Sequence, residues 1–341
     1  MNKVFRVELS GGNGCYCELE LPAAPYELLD ALERLQMPMD GKPDWDILEY
    51  NDFPYLHIHL TDECDLFQLN ALADRLARLD ERQKAAFEGL FQVEVSKKYG
   101  PIQISTIIDL AYSTDCCHVL SEVQNDSQLG RFYAENGFMP ELDAIPDSVF
   151  QMLDFEMLGR KARMDEGGVF TSHGYVTQDS DLEQVYDTLD LRLRRPDYAV
   201  LMELTNGEHN VSLPLPASHL MIDNKLKSIG AEAWQNIRFR CLDCAAPALK
   251  DLVDEAVSIT HVNRLAQHLA RLGPEELTKY KAILIAEDPS DINEASRLAG
   301  QLDEYMVEPD VRTMPEVAEN ELRIILGDEA AELLLPHVTL W

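Results

Sequence analysis

The chain has 341 residues, with 61 Asp or Glu against 29 Lys or Arg, and its formal net charge at pH 7 is −32. An apolar fraction of 46% is typical of a folded protein and too high for a disordered acidic tail. Because DNA-binding proteins and membrane-surface proteins rely on Lys and Arg, this balance disfavours direct binding to nucleic acid or to a membrane and favours a basic partner.

The charge is spread along the whole chain. Residues 1–195 carry 36 acids and 17 bases, and residues 196–341 carry 25 and 12. The length predicts two or three domains. The N-terminal residues MNKVFRVELS lack an apolar signal segment, and no stretch reaches about 18 apolar residues. We therefore expect a cytoplasmic protein with reduced thiols.

The first 62 residues predict a small α/β subdomain. Alternating apolar and polar residues flank a Gly/Asn turn in residues 7–23, which indicates a β-hairpin. A helix follows with an apolar stripe, and YLHIHL at residues 55–60 predicts a further strand. The stripe of the helix is formed by Tyr26, Leu29, Leu32 and Leu35.

Residues 63–100 predict a helical hairpin. Leu69, Leu72, Leu76 and Leu79 are spaced as one face of a helix. The second helix then begins at Asp80, which is a capping residue with Gln83 as its capping-box partner.

Residues 101–178 predict a further α/β segment. We expect a short helix capped by Ser105, a second helix capped by Asp126 or Ser127, a third helix over residues 149–164 and a closing hairpin over residues 169–176. Residues 179–196 have the character of a linker, acidic at first and then basic before Pro196.

The rest of the chain repeats the first part. NALADRLARL (70–79) and NRLAQHLARL (263–272) are identical at seven of ten positions, and the predicted hairpin of residues 7–23 aligns with residues 202–217. The predicted segments are a second α/β subdomain (197–244) with a strand at residues 237–242, a helical region (245–308) whose residues 245–257 have no counterpart, and a C-terminal helix (309–341). The fold class is therefore α+β: an elongated, multi-domain tandem repeat of small antiparallel sheets, packed helices and helical hairpins.

Three connected segments of the first 178 residues carry a family resemblance. They are WDILEYNDFPYL (45–56) leading into DLFQLNALADRLARLDERQ (65–83), LGRFYAENG (129–137) with MPEL and IPDSV behind it, and LDFEMLGRKARMDEGGVFTSHGYV (153–176). This half of the chain resembles the ArdA-type antirestriction proteins of conjugative elements. The second copy is more diverged, and HVTLW (337–341) stands where LDFEM stands in the first copy.

The resemblance implies a mimic of bent duplex DNA that occupies the basic DNA-binding cleft of a type I restriction–modification enzyme, without chemistry and without a cofactor. A runner-up hypothesis is a non-catalytic interaction module of a mobile element that binds another basic protein. Family members are usually a single unit of about half this length. Both a monomer with an internal pseudo-duplication and a homodimer therefore remain open.

The carboxylates expected to meet the partner lie on the helical parts and their loops. Around the first helical hairpin they are Asp62, Glu63, Asp65, Asp74, Asp80, Glu81 and Glu88; in the middle segment they are Glu122, Asp126, Glu135, Glu141, Asp143 and Asp147. Since mimicry depends on a distributed field, only multiple substitutions are expected to abolish binding.

Two Cys/His patterns suggest chemistry, and each has a simpler structural interpretation. His57 and His59 alternate on the predicted strand and, with Cys64, have ligand types that bind metals; two half-exposed strand residues are the simpler interpretation. A lone CxxC at Cys241 and Cys244 lacks the second pair of a structural zinc site. We therefore expect no catalytic, metal or cofactor site.

Overall fold

The computed structural model describes residues 2–12, 14–61, 63–97, 99–142, 145–231, 237–256, 258–307 and 314–337. The chain divides into two compact units, Met1–Pro196 (the first unit) and Asp197–Trp341 (the second unit). Both combine helices with small antiparallel sheets, as the sequence predicts. Across the described ranges, no helix is long and apolar enough to cross a membrane.

The first unit begins with a three-stranded antiparallel sheet in the order β2-β1-β3. The strands are β1 (Phe5–Ser10), β2 (Tyr16–Leu21) and β3 (Asp44–Tyr50), and α1 (Pro25–Arg34) connects β2 to β3. Phe5, Val7 and Leu9 alternate into the core, because successive side chains of a strand point to opposite faces. The hairpin and the helix are thus confirmed.

The strand predicted at residues 55–60 is wrong. Those residues form a 3₁₀ turn at Pro54–Leu56 followed by further turn residues, and the third strand is β3. Proline cannot donate to a strand ladder, whereas DWDILEY places Trp45 and Ile47 on the core side in alternation. His57 and His59 therefore do not share a strand face.

The helical hairpin is confirmed as α2 (Leu66–Leu76) and α3 (Glu81–Lys97). The Asp65 carboxylate caps α2, and Asp80 and Gln83 form the predicted capping box at α3: the Gln83 amide N–H donates to the Asp80 carboxylate over 2.8 Å. Leu69, Leu72 and Leu76 are fully buried in the main core, and each contributes about 1.5–3 kcal/mol.

The middle segment forms a second sheet with helices on it. In chain order its elements are α4 (Ile104–Tyr112), β4 (Cys117–Leu120), α5 (Asp126–Glu135), α6 (Asp147–Phe150), α7 (Phe155–Glu166), β5 (Val169–Thr171) and β6 (Gly174–Gln178). The strand order is β4-β6-β5, and the closing hairpin is confirmed. The long helix predicted over residues 149–164 is instead two helices, since α6 ends at Phe150 and the Asp154 carboxylate caps the start of α7.

Two cap predictions in this segment are also wrong. Gln103, not Ser105, is the residue before α4, and Asn125, not Asp126 or Ser127, caps α5. Asn125 accepts from the Gln128 amide over 3.0 Å, which leaves the carboxylate of Asp126 for another partner.

The predicted linker 179–196 packs along the first unit as an ordered strap. The Glu183 amide donates to the Ser113 hydroxyl over 2.9 Å, and the amides of Val185 and Tyr186 both donate to one oxygen of Asp109 over 2.8 Å. Apolar side chains along the strap also rest on the main core, namely Leu182, Tyr186, Leu189 and Leu193. These contacts hold residues 179–196, the strap, against the first unit.

The second unit begins with a sheet in the order β8-β7-β9, which has the same topology as β2-β1-β3. The elements are β7 (Val200–Asn206), β8 (His209–Leu215), α8 (His219–Ser228), β9 (Arg238–Cys244), α9 (Lys250–Asp254), α10 (Ile259–Leu269), α11 (Pro274–Glu287), α12 (Ile292–Leu298), α13 (Met314–Leu326) and α14 (Asp328–Leu334). The β7–β9 register shifts between the second and third residues of β7, as the β1–β3 register does in β1.

The third strands of the two units correct the sequence alignment. Because β9 pairs with β7 as β3 pairs with β1, residues 238–244 correspond to Asp44–Tyr50 and not to residues 55–60. A 3₁₀ turn follows the third strand in each unit, at Pro54–Leu56 and at Pro247–Leu249. The segment after β9 thus stands at the same place in its unit as the segment after β3, which does not fit the expectation that residues 245–257 are an insertion.

An asparagine joins sheet and helix in the same way in each unit. Asn70 on α2 accepts from the Ala23 amide over 2.7 Å and donates to the Ala23 carbonyl over 3.1 Å. Asn263 on α10 makes the same two bonds to Ala217, over 2.8 and 3.0 Å. The side-chain oxygen and the side-chain nitrogen of each asparagine thus both have a partner, and these bonds fix the chain after the β-hairpin to the helix.

Candidate partner-binding surface

The carboxylates predicted around the first helical hairpin have different environments. Asp80 and Glu81 are exposed at the start of α3, and Glu63 is exposed in the loop before α2. Three others are more enclosed and are engaged within the unit, since Asp65 caps α2, Asp74 pairs with Arg78 over 2.8 Å, and Glu88 accepts from the Ser172 hydroxyl over 2.9 Å.

The middle segment shows the same division. Glu122, Glu135 and Glu141 are exposed, whereas Asp126 accepts from the Arg163 guanidinium over 2.8 and 3.1 Å. This hydrogen bond holds the pKa of Asp126 below its ordinary value. Asp62, Asp143 and the side chain of Asp147 lie outside the described residues.

A group of six carboxylates lies on a strand surface and not on the helices. We call the solvent side of the first sheet the acidic sheet face; its carboxylates are Glu8, Glu18, Glu20, Asp44, Asp46 and Glu49. All six residues are exposed. Since β1, β2 and β3 bury the opposite side, the alternation of the strands itself presents these side chains to solvent.

Three of these carboxylates form a row across the sheet. Glu8 in the central strand pairs with Glu18 in β2 and with Asp46 in β3. Like charges directly opposite each other in a sheet are destabilising by about 0.2–1 kcal/mol per pair. The fold therefore tolerates a local penalty to keep this row.

Arg6 is the single cation of the acidic sheet face. Its guanidinium donates to Glu18 over 2.9 Å and to Glu49 over 3.1 Å, which fixes both carboxylates. The hydrogen bond that Arg6 donates to Glu18 raises the pKa of Arg6 above its ordinary value. The side chain of Arg6 is 41% exposed, so these are surface ion pairs that orient the carboxylates more than they stabilise the fold.

A cavity beside Trp45 extends the surface toward α2. It has a volume of about 470 Å³ and is lined by Asp44 and Asp46 from the sheet and by Glu63 and Asp65 from the loop before α2. Two predicted carboxylates thus lie next to two that sequence reasoning missed.

The sequence did contain the signal for the acidic sheet face. Acids occupy every second position in YCELEL and at the start of DWDILEY, and the pairing register then brings them side by side. Because the sequence pattern predicts the third strand at residues 55–60, it does not predict this row.

The equivalent face of the second unit is close to neutral. Glu203 pairs with Ser212 and with Arg240, where the first unit has Glu8 with Glu18 and Asp46. Arg238 occupies the position equivalent to Asp44, opposite Thr205. The two sheets share a topology but differ in the charge of the face.

The candidate chemical residues occupy unrelated environments. His57 is exposed, and its Nδ1 lies 3.0 Å from the Pro54 carbonyl oxygen, whereas His59 is buried and its Nδ1 accepts from the Ile102 amide over 3.2 Å. Burial raises the pKa of Cys241 and raises that of Cys244 to about 12, so both thiols are protonated at neutral pH. In the part of the chain that the structure describes, no three His, Cys, Asp or Glu side chains are grouped to hold a metal ion.

Fold and surface together define an acidic α/β protein that presents an ordered carboxylate surface. The model of the family described as Antirestriction protein (ArdA) matches residues 17–177. This match covers just under half of the chain and lies within the first unit, and it confirms the resemblance inferred from the sequence. No curated protein matches the chain.

Proposed function

We propose that the protein is an antirestriction protein that acts as a DNA mimic, binding the DNA-binding cleft of a type I restriction–modification enzyme and blocking it without chemistry. The observation that carries this proposal is the acidic sheet face, supported by the family match over the first unit. The surface binds by charge complementarity, so it needs neither a cofactor nor a catalytic residue.

The charge density of the acidic sheet face is in the range of DNA. Six carboxylates and Arg6 lie between the rows of Arg6 and Ser10, a length of about 14 Å at about 3.4 Å per residue. The net density is about one charge per 3 Å, compared with one per about 3.4 Å for a single DNA strand and about 1.7 Å for the duplex. The face therefore offers a basic cleft a field of similar strength.

The exposed predicted carboxylates extend this surface in our proposal. They are Glu63, Asp80, Glu81, Glu122, Glu135 and Glu141. Asp65, Asp74, Glu88 and Asp126 mainly support the fold, because they are more enclosed and each also has an intramolecular partner.

We also propose that the two units are tandem copies, so that the second replaces the partner that a single-unit relative recruits. The shared strand order, the shared register shift and the paired asparagine bonds support a common origin. Light scattering after gel filtration tests this: a monomer at micromolar concentration supports replacement, and a tight homodimer contradicts it.

Competition with DNA tests the mimic directly. The protein is expected to displace a fluorescent recognition duplex from a purified type I methyltransferase, most strongly at low salt, because screening weakens charge complementarity. If it fails to displace DNA at low salt from every class tested but binds another basic protein, the runner-up interpretation as an interaction module replaces the mimic.

A further inference from the structure

A small cavity lies beside Tyr186 of the strap of the first unit and shares Cys64 with the cavity beside Trp45. Its volume is about 200 Å³, and its walls come from the loop after β3, the start of α2, the start of α4 and Tyr186 of the strap. Nothing in the carboxylate surface explains the polar groups that line it.

His59 is the most enclosed polar side chain of this cavity. It is 6% exposed, and its ring packs edge-to-face against Phe91 at a centroid distance of 4.9 Å. Its Nδ1 accepts from the Ile102 amide, so the neutral ring carries its proton on Nε2. A second proton on Nδ1 would face the Ile102 N–H, and this arrangement keeps the ring neutral.

The Nε2–H of His59 has no acceptor among the described residues. Among those residues the fully enclosed side-chain oxygen or nitrogen without a partner is Ser296 Oγ, so Nε2 of His59 is not fully enclosed and solvent can reach it. Since the ring lines the cavity and Nδ1 is occupied by the backbone, Nε2 is the donor that the ring offers there.

The start of α4 supplies further donors on the same cavity. The N-cap residue Gln103 makes no side-chain cap, so the N–H groups of Ile104 and Ser105 have no acceptor within the helix. The neighbouring helix α2 differs, because the Asp65 carboxylate satisfies its first N–H groups. Both helix starts line the cavity, and only that of α4 is free for a ligand.

Tyr186 completes the donor set from the strap. Its hydroxyl accepts from the Gln68 side-chain amide, which leaves the Tyr186 O–H proton to donate. The acid on the cavity wall is Glu63, which is exposed and therefore lies toward solvent. The inner part thus presents hydrogen-bond donors without a fixed positive charge.

We propose that this cavity binds a small oxyanion, a carboxylate or inorganic phosphate, held by His59 Nε2–H, Tyr186 O–H and the first N–H groups of α4. A helix N-terminus attracts negative charge through its dipole and its free amides. Glu63 disfavours a doubly charged ligand, so a carboxylate binds more tightly than phosphate. This site shares Glu63 with the carboxylate surface, but its hydrogen-bond donors lie outside that surface and it does not depend on the proposed antirestriction function.

Titration of the ¹⁵N-labelled full-length protein with sodium acetate or sodium phosphate, at ionic strength held constant with sodium chloride, tests the site. Saturable shifts are expected at the Ile104 and Ser105 amides and at His59 Nε2, with acetate saturating first. Phosphate saturating first would assign the site to phosphate and overturn the preference for a carboxylate. Shifts that do not saturate, or that spread over the whole surface, would overturn the site itself.

Variants separate a specific site from general ion effects. His59→Met keeps a weak acceptor for the Ile102 amide in its thioether sulfur but has no N–H donor, and it is expected to weaken acetate binding about tenfold. The exposed His57→Met is the matched control and should leave binding unchanged. Glu63→Gln removes the repulsion at the rim and should tighten binding, most of all for phosphate.

A further variant keeps the test valid if His59→Met does not fold. Ile104→Pro removes one free N–H at the first helical position, where proline is well tolerated and the preceding Gln103 already has an extended conformation (φ −63°, ψ 142°). Weaker acetate binding in this variant supports the site, and unchanged binding contradicts it.

Discussion

The first sheets of the two units have the same strand order and the same register shift, but their solvent faces have different charges. Glu18, Glu8 and Asp46 form a three-carboxylate row in the first unit; Ser212, Glu203 and Arg240 stand at the equivalent positions in the second. The buried sides are alike, since both central strands alternate apolar residues into a core. Since the second unit forms the same sheet without these three acids, the fold does not require the acidic row.

A row that the fold does not require is a candidate for function. Opposed like charges destabilise a sheet, whereas an opposed Glu and Arg pair stabilises it slightly. The second unit therefore has the more stable arrangement of charge, and the first keeps the one that suits a basic partner. In our proposal the first sheet is the part of the chain that competes with DNA.

Neutralising the acidic row should have the largest effect. The combined variant Glu8→Gln, Glu18→Gln and Asp46→Asn is expected to weaken binding to a type I methyltransferase about 100-fold at low salt, or about 2.7 kcal/mol. The measurement is competition with a labelled duplex. Because the row is repulsive, the same variant should unfold at a higher urea concentration than the unmodified protein.

A control with the same change of charge in the second unit makes this test specific. Asp223, Glu255 and Glu275 are exposed there, and their conversion to amides removes the same number of charges. If this control weakens binding as much as the first variant, bulk charge and not the acidic row drives association.

Replacing the asparagine that fixes the chain after the β-hairpin, Asn70 or Asn263, should have the next largest effect. The loss of stability should be similar in both units. Asn70→Ala and Asn263→Ala each leave the N–H and C=O of an alanine, Ala23 or Ala217, without their partner. Each is expected to cost about 2 kcal/mol of stability, since an unsatisfied buried backbone group costs about 1–3 kcal/mol.

Amide hydrogen exchange measures this loss separately in each unit. Asn70→Ala should speed exchange in β1–β3 and leave β7–β9 unchanged, and Asn263→Ala should do the reverse. If only one of the two substitutions speeds exchange in its own unit, the equivalence of Asn70 and Asn263 is contradicted. Asn210→Ala, at an exposed position on β8, is the control for asparagine replacement itself.

Sequence reasoning found the elements whose signals are local. The apolar stripe of Leu69, Leu72 and Leu76 and the capping box of Asp80 and Gln83 are properties of a few neighbouring residues, and the structure has both. The prediction of the third strand was wrong because the local sequence does not show which segment pairs with β1. Residues 44–50 form that pairing, and residues 55–60 do not. That pairing is a long-range property.

The candidate surface was missed for the same reason. The proximity of Glu8, Glu18 and Asp46 follows from the register of three strands, whereas the predicted carboxylates were chosen on helices. Several of those, such as Asp65 and Asp126, have caps or ion pairs that only a folded structure reveals.

Transferring the acidic row to the second unit should have a smaller effect and the opposite sign. Ser212→Glu together with Arg240→Asp gives the second sheet two like-charge pairs around Glu203, and it is expected to lower its stability by about 1 kcal/mol. Exchange in β7–β9 should speed up, and displacement of DNA at low salt should improve.

The conservative pair Ser212→Asn with Arg240→Lys tests whether charge causes this change. It alters the same positions but keeps their charge, so stability and competition should stay as in the unmodified protein. Equal destabilisation by both pairs would mean that packing, and not charge, distinguishes the two sheets.

The smallest expected difference between the units is a pH dependence of the stability of the first unit. Burial lowers the pKa of His59 below its ordinary value, with His57 as a second cause. The unfolded chain then binds a proton at higher pH than the folded first unit does, so stability is complete above about pH 6.5 and falls as the pH drops from there toward the folded pKa. The loss should precede the titration of most carboxylates, which lies below about pH 5.

Hydrogen exchange in the first unit between pH 7 and pH 5, corrected for the intrinsic rate, measures this loss. His59→Gln should abolish the pH dependence, because its amide oxygen accepts from Ile102 without titrating, whereas His57→Gln should largely preserve it. Glu63 and Tyr186 also line the cavity beside His59. A dependence that persists in His59→Gln but disappears in Glu63→Gln would therefore move the titrating group from the imidazole to the rim carboxylate.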